Sequence, residues 1–112
     1  MATYTPKRFV DPVQLSTSAS STLYAPTSGY TGVIKEILLS NPTTTTATAT
    51  VYMVPSGGTA GNSNAIVPAI TIAGNSFITI PLSQVMTTGD TLKALASVGT
   101  TITMTVSGVE YA

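Results

Sequence analysis

Histidine, cysteine and tryptophan are all missing from this 112-residue chain, and charged side chains make up only 7% of it. Without histidine or cysteine the chain lacks the usual general base at neutral pH, the thiolate nucleophile and the commonest zinc ligands. No disulfide framework can hold it, and cysteine usage gives no indication of the redox compartment. Its four carboxylates, Asp11, Glu36, Asp90 and Glu110, stand far apart in sequence, with no spacing that suggests an acid and base pair. No catalytic, metal-binding or cofactor-binding residues are therefore expected, and the chain does not read as an enzyme. Lys plus Arg and Asp plus Glu number four each, for a formal net charge of +0. Nucleic acid is not an expected partner, because no basic field exists to hold phosphates.

A long hydrophobic run is missing as well. The most apolar stretch, residues 32–39, is broken by Lys35 and Glu36, so no membrane span is expected. Lys7 and Arg8 near the start are followed by no apolar segment of the kind a secretory leader needs. Average proteins are about 25% charged. Here threonine and serine stand where charges would be, and a surface with so little charge does little to keep copies of the chain apart. Association is therefore expected.

What is present is period two. From Thr46 to Val54, Ala47, Ala49, Val51 and Met53 fall on one face, and Thr46, Thr48, Thr50 and Tyr52 fall on the other. That is the pattern of a half-buried strand, and β-branched threonine suits a pleated outer surface. A disordered threonine-rich stalk is the alternative, but the alternation runs on into Val-Tyr-Met-Val. The same device returns near the end, with Ile102, Met104 and Val106 inward and Thr101, Thr103, Thr105 and Ser107 outward. Further strands are expected at 9–15, 22–24, 33–40 and 91–97. Residues 66–82 read as a hairpin whose three-residue loop, Ala73-Gly74-Asn75, sets Ile70 against Ile78 and Ile66 against Leu82, with Asn75 left-handed. Pro68 and Pro81 belong at edges or bulges.

With 43% hydrophobic residues, a single domain of this length buries roughly 65% of its unfolded surface. Helical periodicity is absent. The fold class expected is all-β, an antiparallel β-sandwich or jelly roll of about seven to eight short strands. Asp90 in Thr88-Gly-Asp-Thr91 reads as a turn residue closing its own backbone. Gly57-Gly-Thr-Ala-Gly61 lacks the lysine and following helix of a phosphate cradle and reads as a loop. Tyr4, Tyr24, Tyr30, Tyr52 and Tyr111 either line a sugar site, as in a carbohydrate-binding module, or pack at edges and subunit contacts. The Thr-X-Thr spacing also fits an ice-binding array, although no fixed repeat runs through the chain.

Taken in order, Leu23-Tyr24, Gly32-Val-Ile-Lys-Glu-Ile-Leu-Leu-Ser-Asn41, Ala73-Gly-Asn-Ser76, Thr88-Gly-Asp-Thr-Leu92 and Val106-Ser-Gly-Val-Glu110 resemble small β-sandwich structural proteins of tailed-bacteriophage virions. The resemblance covers about residue 15 to the end. It implies a capsid decoration (cement) subunit that is often trimeric, or else an accessory subunit at the neck, tail or fibre base. The partners it implies are further copies of the chain, as a homotrimer, and the major capsid protein or another virion protein. It implies a virion assembled in the host bacterial cytoplasm. It brings no catalytic residues and no cofactor.

Residues 1–15 differ from residues 16–112, the expected sandwich domain. They hold Lys7, Arg8 and Asp11 together with Tyr4, Phe9, Pro6 and Pro12. They read either as an arm laid across a partner or as an edge strand. On the arm reading, Tyr4, Lys7, Arg8 and Phe9 are the candidate interface residues.

Overall fold

The alternating segments fold as strands. A computed structural model describes residues 4–19 and 22–111, with strands β1 (Thr5–Gln14), β2 (Thr31–Asn41), β3 (Ala47–Val54), β4 (Ala65–Ile72), β5 (Ser76–Met86), β6 (Thr91–Ala96) and β7 (Thr103–Tyr111). Among the described residues the only helical turn is a short 3-10 segment, Asn62–Asn64. Two antiparallel sheets form, one in the order β1-β7-β2-β5 and the other β4-β3-β6. The expected strand at 22–24 shrinks to a single bridge, Tyr24 to Leu92 on β6.

If that bridge is taken as a rudimentary strand, the pairings are nested. The first strand pairs with the last, the bridge segment with β6, β2 with β5, and β3 with β4. This is the pairing of a jelly roll, in which a folded-over ribbon wraps into two facing sheets. Ser16 and Tyr24 both accept bonds from β6, through the Ala96 and Leu92 backbone N–H groups, and the Leu23 N–H donates to the Leu92 carbonyl.

The core between the sheets is built from unequal halves. Ile34, Ile37, Leu39, Met86, Met104 and Val106 reach in from the four-stranded sheet, and all are fully buried. Opposite them, β3 and β6 present Ala47, Ala49, Ala94 and Ala96, with Val51 and Leu92 filling the larger gaps. Large side chains thus meet small ones, the arrangement that lets two layers interdigitate without voids. The alanines of the Thr-Ala-Thr-Ala run are small because their partners are large. At the end of β3 the alternation slips, so that Val54 is buried and Met53 only half-buried, next to register shifts against β4.

The 66–82 hairpin is not formed. Asn75 is left-handed, with φ of 57°, but the turn carries the chain from one sheet to the other, so β4 pairs with β3 and β5 with β2. Ile66, Ile70, Ile78, Ile80 and Leu82 still pack on the core, from the edges of opposite sheets. The reason lies in a second corner. Residues 73–75 rest on residues 43–44: the Asn75 N–H donates to the Thr43 carbonyl at 2.8 Å, and a Cβ at Gly74 would come within 2.6 Å of the Thr44 carbonyl. Asn41, 1% exposed, ties the two corners together. Its amide donates to the carbonyls of Thr45 at 2.7 Å and Ile72 at 3.1 Å, and its oxygen accepts from the Thr43 N–H and hydroxyl. A register rule based on side-chain faces cannot see such a corner.

Pro68 and Pro81 lie on the edge strands β4 and β5, Pro81 opposite the β2 bulge at Glu36. Pro6 and Pro12 lie on β1, also an edge. Edge positions spare the ladder from the missing N–H. Asp90 closes its own turn, accepting from the Thr87 N–H at 2.9 Å.

Candidate subunit interface

Residues 5–14 form β1, hydrogen-bonded along β7 at the border of the four-stranded sheet. The four candidate interface residues on and beside it have different fates. Tyr4 is 65% exposed, with its ring 4.7 Å from that of Tyr111. Arg8 is exposed and its Nε lies 2.8 Å from the Asp11 carboxylate, also exposed. Lys7 turns back along the chain's own surface to Glu110, at 3.2 Å. Phe9 points inward. A register shift between Arg8 and Val10 buries both Phe9 and Val10, so Phe9 is a core residue of its own chain and is not offered to a partner.

The Phe9 ring is stacked on Tyr24, with centroids 4.1 Å apart and planes at 1°. Two glycines make the slot. A Cβ at Gly108 would strike the Val33 carbonyl oxygen and lie 2.8 Å from the Phe9 ring, and one at Gly32 would lie 2.7 Å from the Tyr24 hydroxyl. Behind the rings sits Glu110, the one buried carboxylate among the described residues. Tyr24 donates to its Oε2 at 2.6 Å, while Lys7 reaches Oε1. The Tyr24 hydrogen bond holds the Glu110 carboxyl below its ordinary range, against the opposing effect of burial, with help from Lys7 and the Thr27 backbone. Burial, then the bond to Glu110, push the Tyr24 phenol well above its ordinary 10.0. This cluster staples β1 and β7 to the stretch around Tyr24 and Thr27, and sequence spacing did not point to it. One signal was available: Glu110 follows Met104, Val106 and Gly108 at inward parity.

The remaining feature is a broad face with few charges. On the outer side of the four-stranded sheet Phe77, Ser40 and Thr103 lie in register, as do Thr79, Leu38 and Thr105, and Val85, Val33 and Val109. Phe77 is 66% exposed and Val85 54%. The edge strand β5 carries no charged residue, and the charges of β2 are confined to its bulge, where exposed Lys35 and Glu36 interrupt the face between the Leu38 and Val33 rows and Lys35 reaches the Ser83 hydroxyl of β5. Among the described residues no group of His, Cys, Asp or Glu could hold a metal ion, and no helix is long and apolar enough to cross a membrane.

No family model matches the chain, and no curated protein matches it in sequence. Solved structures do match in shape. The chain is similar to one in the structure of infectious bursal disease virus, Gx strain, with a TM-score of 0.53, 15% identity, and coverage of 98% of this chain and 31% of that one. It is also similar to a chain of the T13 IBDV viral particle, with a TM-score of 0.51, 13% identity, and coverage of 98% and 35%. The chain thus spans about a third of the length of these virus-particle chains. At such identities the likeness is one of fold. The fold shared with these chains is the jelly-roll β-sandwich described above.

Proposed function

We propose that this chain is a non-enzymatic structural subunit of a virus particle, and specifically a capsid decoration protein of a tailed bacteriophage that assembles as a homotrimer on the head. The observation that carries the reading is the charge-poor outer face formed by β2, β5 and β7, where apolar and hydroxyl side chains surround a single charged bulge at Lys35 and Glu36. Exposed Phe77 and Val85 with half-buried Leu38, Val33 and Val109, flanked by hydroxyls, form the sort of surface that neighbouring subunits cover. The likeness to virus-particle chains supports the same class. Tyr4 and Arg8, both exposed at the β1 edge, are the residues of the N-terminal segment available to touch coat subunits.

The test is binding to particles stripped of this protein, with Phe77→Asp and Val85→Asp together and, separately, Tyr4→Ser with Arg8→Glu. Removing residues 1–12 outright would take Phe9 and Val10 from the core and confuse binding with folding. The Phe77/Val85 variant should keep its β spectrum by circular dichroism and lose co-sedimentation with heads. Undiminished binding by both variants would remove the proposed surfaces from the mechanism. Co-sedimentation with isolated tails instead of heads would move the subunit to the neck, tail or fibre base.

A further inference from the structure

The threonine face of β3 leads into a groove on the outer side of the three-stranded sheet. There Tyr52 and Lys93 are direct cross-strand partners, and Thr50 stands opposite Leu95. They face away from the core because Val51 and Ala94, between them, are buried inside. Segments bearing Thr17 and Ser18 on one side and Thr59 on the other bank these residues into a groove of about 580 Å³. That size matches small-molecule sites, roughly 300–1,000 Å³.

Lys93 stands apart from the other cations. Lys7 is held by Glu110, Arg8 by Asp11 and Lys35 by the Ser83 hydroxyl, whereas Lys93 makes no hydrogen bond or ion pair among the described residues. No carboxylate lines the groove. It therefore offers the ammonium of one half-buried lysine without a counter-ion, a tyrosine as its cross-strand neighbour, several hydroxyls and the aliphatic Leu95. A neutral ligand would leave the ammonium unpaired. A dense polyanion such as nucleic acid would find one cation where it needs many.

We infer that this groove binds an acidic saccharide, one uronate-type unit at a time, with its carboxylate on Lys93, its ring against Tyr52 and its hydroxyls toward Thr17, Ser18 and Thr59. The inference stands independently of the capsid reading. An aromatic side chain supplies an apolar face and a polar tip in one group, which suits a pyranose ring, and the carboxylate adds a charge-assisted hydrogen bond.

A hyaluronan tetrasaccharide, whose glucuronates supply the carboxylates, and its carboxyl-reduced counterpart are suitable probes, titrated at millimolar concentration against the full chain while backbone amide shifts are followed by NMR. Shifts should cluster at residues 17–19, 52, 59–60 and 93–95. Lys93→Met should weaken binding about tenfold, the loss typical of one charge-assisted bond. Lys93→Arg should retain most of the affinity, Lys35→Met should change nothing, and the reduced saccharide should bind the native chain as weakly as the intact one binds Lys93→Met. Absent shifts, shifts elsewhere, or equal affinity for the native and Lys93→Met chains would overturn the assignment.

Discussion

Replacing Tyr24 by phenylalanine isolates the contribution of one buried hydrogen bond. The ring remains, so its stack on Phe9 is kept, and only the hydroxyl that donates to Glu110 at 2.6 Å is lost. Glu110 then keeps Lys7, whose side chain is 45% exposed, and the Thr27 backbone. A bond to a buried charged acceptor contributes about 1.5–3 kcal/mol. A half-exposed partner such as Lys7 offsets little of that, since such pairs contribute about 0–1 kcal/mol. For a domain near 100 residues the loss corresponds to a Tm lower by roughly 6–14 °C at neutral pH. The pH dependence gives a second readout. Because the folded-state pKa of Glu110 is depressed, its stabilisation is present above the ordinary value of 4.5 and fades as pH falls below it. Because the Tyr24 pKa is raised, its stabilisation is present below the ordinary 10.0 and fades as pH climbs beyond it. The gap between native protein and Tyr24→Phe in urea melts should thus be widest between these limits and narrow at both ends. A Tm change under about 2 °C at neutral pH, or a gap that is flat from pH 3 to 11, would refute the coupling, since even the low end of the hydrogen-bond range exceeds it.

Gly108→Ala should cost about 3 kcal/mol or more, read as the urea midpoint, and Phe9→Leu in the same chain should not restore it, because the Val33 carbonyl is the fixed obstacle. Ala49→Leu should destabilise by about 1–3 kcal/mol, since the side chains facing that fully buried alanine already fill the space, while Thr48→Val at the half-exposed neighbouring position should stay within about 0.5 kcal/mol by the same assay.

The strands were legible because the sandwich is buried on one side only, so the pleat prints itself as alternation. Ala47, Ala49 and Val51 on β3, and Ile102, Met104 and Val106 at the last strand, are buried as that alternation requires. The edge prolines and the Asp90 turn were legible because each follows from a missing N–H or a local bond. Two things were not. The 73–75 corner depends on a distant loop and on Asn41, and no local pattern distinguishes a hairpin from a crossing between sheets. The direction of Phe9 depends on a bulge in β1, which reverses the parity on which any facing argument rests. The charge-poor outer face was visible as composition, but its assembly from β2, β5 and β7 is a product of topology.

The nested pairing also governs when the fold can close. Thr5 pairs with Glu110 and Gln14 with Thr103, so β1 has no ladder partner until the last strand exists. During synthesis at about 5–20 residues per second, β1 waits on the order of 5–20 s with Phe9 and Val10 uncovered. Such non-local ladders fold slowly, because the loop must close before any contact rewards it. The first-made strand is therefore the last to be secured. Loss of the final ten residues would remove its only neighbour and leave an apolar edge open to other chains.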